Sequence, residues 1–194
     1  MPGQSSLPGF DAAPRAMDRL FFAIFPDADS AQRITRLAQQ LRGEHDLKGR
    51  PLALDRFHVT LHHLGDYMGV PPDVVAMAGA AAAAVSMPPF EVVFDRVASF
   101  SSTPRNRPFV LRGGDGLAAL MAFQQALGMA MKKTGLGHWA KPGYTPHVTL
   151  LYDDRCVAER AVETISWTAR EFVLVHSQLG QSRHVPLLRW PLSG

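Results

Sequence analysis

The tetrapeptide His-Val-Thr-Leu occurs twice, at 58–61 within FHVTLHHLG and at 147–150 within PHVTLLY. Each copy alternates polar and apolar residues, the period of a strand with one face in a core. On such a strand, residues two apart share a face. His58 and Thr60 then lie on one side, with Phe57, Val59 and Leu61 on the other. His147 and Thr149 likewise lie opposite Val148 and Leu150. Each copy therefore anchors an apolar side and presents an imidazole with a hydroxyl. Both copies follow a helical pattern and a glycine-containing loop, which suggests a duplicated lobe.

The remaining elements read as an alternation of strands and helices. RLFFAIF at 19–25 has the continuous apolar run of a buried strand, ended by Pro26. Asp27 or Asp29 can cap a helix through about Arg42, with Ile34, Leu37, Ala38 and Leu41 on its apolar stripe and Gly43 at its end. RFHVTLHHLG at 56–65 is a strand. Pro71 and Pro72 introduce an alanine-rich helix over 73–86, which Pro88 and Pro89 stop. FEVVFDRVASF at 90–100 and RPFVLRG at 107–113 are strands. A long helix runs from Asp115 to Thr134, with Leu117, Leu120, Met121, Leu127 and Met131 inward. The second His-Val-Thr-Leu strand follows, then two strands near 171–179 and 183–190. The expected class is α+β, with helices packed on antiparallel sheets.

At 194 residues the chain suits one domain, or one domain of two similar lobes, with room for a sizeable core. The formal net charge of +3 is compatible with an anionic substrate. The dense Lys/Arg stripe of a DNA-binding surface is missing. Cys156 is the one cysteine, so neither an intrachain disulfide nor a cysteine zinc cluster is open to the chain. That fits a reducing cytoplasm. Residues 1–17, MPGQSSLPGFDAAPRAM, read as a disordered extension, and 18–194 as the domain. The apolar run LFFAIF is too short to cross a bilayer, so no membrane association is expected.

If the two polar faces meet, the cleft holds two imidazoles and two hydroxyls. That set suits metal-free phosphodiester chemistry. One neutral imidazole can take a proton from water while a protonated one gives a proton to the leaving alkoxide. Each such transfer contributes about 100- to 10,000-fold in rate. The hydroxyls can hold the non-bridging oxygens as charge builds. A structural role is the plainer alternative, since threonine is common in strands for its shape alone. A metal site from His58, His62 and His147 is a further alternative, but a spacing of four spans about 13 Å on a strand. His62 has the parity of His58 and Thr60 and is expected at the end of the cleft.

RLFFAIFPD at 19–27, RFHVTLHHLGD at 56–66 and PHVTLLYD at 146–153 resemble the two-histidine phosphoesterase superfamily. Within it the chain is similar to the RNA 2′,3′-cyclic phosphodiesterases, also called bacterial 2′-5′ RNA ligases. The resemblance spans 18–191 and includes the closing segment RHVPLLRWPL. It implies a bilobal fold with a pseudo-twofold axis, antiparallel sheets lining a central cleft and helices outside. It implies hydrolysis of a terminal 2′,3′-cyclic phosphate to a 2′-phosphate, and in some members reversible 2′-5′ joining of RNA ends. The implied partner is RNA with such an end, tRNA fragments included. No metal, nucleotide cofactor or obligate protein partner is implied, and a monomer suffices. Small cyclic nucleotides, 2′-5′ oligonucleotides or a non-catalytic RNA-end-binding module are the alternatives.

Carried over by residue, His58, Thr60, His147 and Thr149 are the catalytic set, with His58 as general acid and His147 as general base. Arg19, Phe22, His62, Tyr152 and Arg155 are the candidates for substrate binding. Tyr152 stands where many relatives carry an arginine, and Arg155 is a nearby replacement cation. His184 stands where relatives often carry an aromatic residue. Lys132, Lys133, Lys141, Arg105 and Arg107 can track an RNA backbone, with solvated surface charge the plainer role for most of them. Trp139, Trp167 and Trp190 can stack on bases, with packing the plainer role for Trp167 and Trp190.

Overall fold

The computed structural model describes residues 17–101 and 104–194. The expected disordered extension, Met17 apart, lies outside the described residues. In chain order the elements are β1 (Asp18–Ile24), α1 (Ala28–Glu44), β2 (Val59–Tyr67), α2 (Pro72–Ala83), β3 (Phe90–Ser99), β4 (Arg107–Arg112), α3 (Ala118–Lys133), β5 (Val148–Asp153), β6 (Arg160–Ala169), β7 (Glu171–Gln178) and β8 (Arg183–Pro191). The strands form an antiparallel sheet in the order β6-β3-β4-β5-β2-β1-β7-β8.

That order has a centre. β2 and β5 are joined by the single pair Val59↔Val148. Outward from this seam, β2, β1, β7 and β8 match β5, β4, β3 and β6. Each seam strand ends a strand-helix-strand unit, β1-α1-β2 on one side and β4-α3-β5 on the other. The two His-Val-Thr-Leu strands are therefore equivalent parts of two lobes, as the repeat suggests.

Local chemistry accounts for the elements. Asp27 caps α1 by accepting a hydrogen bond from the Ser30 N–H at 2.8 Å. Gly43 does not end this helix, which runs on to Glu44 with His45 at its C-cap. Pro72 sits in the first turn of α2, where a missing N–H costs nothing. That helix closes at Ala83, short of the expected 86. The third helix begins with a 3₁₀ turn at Asp115–Leu117 before α3 proper. Met121 is only half-buried there, and Phe123 fills the inward position. Strand β6 was not expected. Only Ile165, Trp167 and Ala169 of its RAVETISWTA are buried, because it is an edge strand whose first half faces solvent.

The main core lies between one face of the sheet and the helices. Phe22, Phe57, Phe94, Phe109, Phe123 and Phe172 are fully buried in it. Each contributes about 1.5–3 kcal/mol through area removed from water. A small second cluster of Phe21, Ala23, Val173 and Val175, with Phe25 against it, covers the other face. Among the described residues no helix is long and apolar enough to cross a membrane.

Candidate active site

The seam sets the site. His58 and His147 immediately precede β2 and β5. The antiparallel pair Val59↔Val148 then places His147 beside Thr60 and His58 beside Thr149. Thr60 and His147 line one cavity of 350 Å³. The apolar partners Phe57, Val59, Leu61, Val148 and Leu150 all go into the main core, as the alternation requires.

Both imidazoles are held alike. His58 Nδ1 lies 2.8 Å from the Arg56 carbonyl, and His147 Nδ1 lies 2.8 Å from the Thr145 carbonyl. A carbonyl only accepts, so each Nδ1 carries a proton and donates. Nε2 of each ring is left for chemistry. In the neutral ring it bears a lone pair, and the Thr60 hydroxyl donates to His58 Nε2 at 3.1 Å.

The surroundings differ. The ring of Phe21 stacks on His58 with centroids 5.0 Å apart, and Phe25 lies at 6.0 Å. The ring of His184 meets His58 edge-on at 5.0 Å. Burial among these rings pushes His58 down to about 4, with the Arg56 and His147 charges acting in the same direction against the Arg56 carbonyl. His147 has Phe100 edge-on at 4.8 Å and Arg112 nearby. Its pKa is also lowered, first by burial, then by the Arg112 charge against the Thr145 carbonyl. His184 is pushed to about 3 by burial and by the His58 and Arg56 charges, and its Nδ1 is buried without a partner.

A duplicated β-bulge redirects the residues after each threonine. Ala23↔Thr60 is followed by Phe22↔His62, and Val110↔Thr149 by Phe109↔Leu151. One extra residue in each seam strand inverts the alternation beyond it. His62 consequently turns toward the helices, buried, with Nε2 donating to the Gln124 carbonyl of α3 at 2.9 Å. His62 nevertheless lines the cavity that Thr60 and His147 line, the end-of-cleft place expected of it, though the bulge and not simple parity puts it there. Solvent-exposed His63 and Tyr152 occupy equivalent positions on the two strands. Among the described residues no three His, Cys, Asp or Glu side chains converge as metal ligands.

Two expectations are corrected. Phe22 is fully buried in the main core against Phe172 and Trp190, and its neighbour Phe21 reaches His58. Every residue of a strand buried on both faces is apolar, so composition could not tell these two apart. Arg155 is tied to the turn after α1, donating to the His45 carbonyl and to Asp46, both at 3.0 Å. It is not in the cavity lining beside Thr60 and His147. Arg19 makes a two-pronged ion pair with Asp66, both bonds 2.7 Å. Asp66 falls to about 2, held chiefly by Arg19 and further by His63 against its own desolvation. Arg19 is raised mainly by Asp66 and slightly by Tyr152. Phe21, Phe25, Phe100 and Arg112 are the site neighbours that the sequence reading does not single out, while the resemblance already marks His184.

The family model for the 2′-5′ RNA ligase superfamily matches residues 25–181. An RNA 2′,3′-cyclic phosphodiesterase of Escherichia coli K12 is 27% identical over 181 residues, covering 90% of this chain and 97% of that protein. The crystal structure of E. coli LigT in apo form superposes with a TM-score of 0.71 at 25% identity, over 93% of this chain and 100% of that one. A crystal structure of a phosphoesterase gives 0.71 at 27% identity, over 91% and 99%.

Proposed function

As the chain belongs to the 2′-5′ RNA ligase superfamily, we propose that it hydrolyses the 2′,3′-cyclic phosphate at an RNA end to a 2′-phosphate. The observation that supports this most is the doubled constellation at the seam. Two Nδ1-anchored imidazoles stand beside two threonine hydroxyls, on strands related by a local twofold.

In this reading His147 Nε2 takes a proton from water as its oxygen attacks phosphorus. The bond from phosphorus to the 3′ oxygen breaks, and the proton on His58 Nε2 passes to that oxygen. Thr60 and Thr149 donate to the non-bridging oxygens. His58 is neutral at pH 7 in the free site, since its pKa is about 4. The anionic phosphodiester therefore brings with it the field that stabilises a proton on this ring. The same sequence, with a 5′-hydroxyl in place of water, would join RNA ends through a 2′-5′ linkage and leave a free 3′-hydroxyl.

Hydrolysis of an oligoribonucleotide ending in a 2′,3′-cyclic phosphate, in EDTA, tests the reading. Product carrying a 2′-phosphate is expected, reduced about 100- to 10,000-fold in His58→Ala and in His147→Ala. Turnover that survives both substitutions, or that EDTA abolishes, refutes it.

A further inference from the structure

The cavity beside Thr60 and His147 does not end at the catalytic residues. It is floored by Trp139 and Gln124 and walled by the 141–145 loop. It runs into a second cavity of 710 Å³, which shares His62, Gln124 and the 141–144 segment and extends along α3 to Met129 and Lys132. The 350 Å³ and 710 Å³ volumes are those of small-ligand sites.

Its lining has three properties that none of the catalytic residues requires. Trp139 is fixed rather than loose. Gly65, at a φ of 111°, lets the indole come so close that a Cβ there would lie 2.7 Å from it. The edge of His63 braces the indole at 5.5 Å, while the Lys141 ammonium hangs 5.9 Å over the ring. Lys141 and Lys132 are exposed, and neither has an ion-pair partner among the described residues. Finally, the Tyr144 hydroxyl is buried at the wall of both cavities with no hydrogen-bond partner. Burial raises its pKa, so it remains a donor. A rigid aromatic floor, two free cations in file and an unpaired hydroxyl match a nucleobase followed by backbone phosphate.

We infer that this groove binds the last nucleotides of a single-stranded RNA, with the terminal base at Trp139 and the phosphate on its 5′ side at Lys141 and Lys132. The inference rests on the proposed reading of the site and selects oligonucleotides over cyclic mononucleotides as substrate. Trp139 and Tyr144 hold the base, and the lysines recognise that the nucleotide is part of a chain.

Two probes test it, adenosine 2′,3′-cyclic monophosphate and a triadenylate ending in the same cyclic phosphate. Wild type should favour the trinucleotide in kcat/KM by about tenfold or more at low salt, and less as salt rises. Lys132→Ala/Lys141→Ala should erase that preference. Trp139→Leu should raise KM about 5- to 150-fold, the range carried by base stacking, with kcat little affected. Trp139→Phe, which keeps a stacking ring, should stay within a few-fold of wild type and guards against a misfolded leucine variant. Equal kcat/KM for the two probes, or an unmoved KM in Trp139→Leu, overturns the groove. If wild type hydrolyses neither probe, the cyclic phosphodiesterase reading fails on its own. The groove is then decided by tryptophan fluorescence with a triadenylate 3′-phosphate. Quenching in wild type that is absent from Trp139→Leu supports it, and no quenching sinks it.

Discussion

The rings of His58 and His184 meet edge to face, with centroids 5.0 Å apart and planes at 77°. His184 comes from β8, where it pairs with Ser177, and also meets the edge of Phe21 at 5.4 Å. One catalytic candidate is thus enclosed by aromatic rings. Its twofold mate His147 has Arg112 where His58 has Phe25. The lobes repeat the backbone but not the electrostatics, and several outcomes follow from that asymmetry.

Both His58 and His184 have folded pKa values, about 4 and about 3, below the ordinary 6.5 of an unfolded histidine. Below pH 6.5 the unfolded chain therefore binds protons that these rings refuse. Their contribution to stability is complete above that pH and is lost as pH falls toward 4 and then 3. Denaturant midpoints measured at pH 7 and pH 5 should show a drop. His184→Phe should shrink it, and should stabilise the protein by about 1 kcal/mol at pH 7 by removing a buried, unpartnered Nδ1. An unchanged pH dependence in this variant contradicts the assigned burial.

Acid-base catalysis by the pair needs one proton shared between two rings. Both pKa values are lowered, and the His58 value is about 4. The singly protonated free enzyme is consequently scarce at neutral pH. The logarithm of kcat/KM should fall with a slope of about −1 above an apparent pKa that lies below the usual histidine value. A plateau of kcat/KM from pH 6 to pH 8 would exclude this pair as the acid and base of the free enzyme.

Thr60→Val and Thr149→Val keep the β-branched shape and remove only the hydroxyl. If those hydroxyls hold charge that builds on phosphoryl oxygens, kcat should fall by about 100- to 1,000-fold for each. The melting temperature should move little, because both residues are only half-buried. A change confined to KM would assign them to ground-state binding instead.

The repeat carried much of this architecture openly. Two strands with the same polar side, each after a helix, already imply paired lobes, and the apolar partners Val59, Leu61, Val148 and Leu150 land in the core as alternation demands. The bulges were hidden. Alternation gives no sign that an extra residue follows each threonine, so it could not show that His62, while lining the cavity, bonds the Gln124 carbonyl of α3. Phe21 and Phe22 were indistinguishable because both faces of β1 are covered by apolar groups. His184 lies far along the chain from His58, and only the tertiary fold, with β8 on the same half of the sheet as β2 in the order β2-β1-β7-β8, brings the rings together.

Gly49 is required by a close approach rather than by its backbone angles. A Cβ at this position would sit 2.0 Å from the Tyr152 carbonyl oxygen. The segment is pinned there, since the N–H groups of Lys48 and Gly49 donate to the buried Asp153 carboxylate at 2.6 and 2.8 Å. Gly49→Ala should therefore destabilise the fold by about 1–3 kcal/mol, the usual range for overpacking. The shift in denaturant midpoint reads it directly, and a neutral effect would mean that the loop is not held against β5.

Tyr152→Arg restores a cation at the position where the resemblance expects one. The side chain is 43% exposed, so the change should leave stability within about 0.5 kcal/mol. Arg19 is already neutralised by Asp66 through two bonds of 2.7 Å. Little repulsion opposes the new guanidinium. If Tyr152 flanks the path of the RNA backbone, the variant should bind a cyclic-phosphate oligonucleotide several-fold tighter at low salt. Its log–log salt slope should steepen by about 0.7, the value for one added contact to a single strand. An unaltered slope would place position 152 off the path of the backbone, leaving Lys141 and Lys132 as the cations that track it.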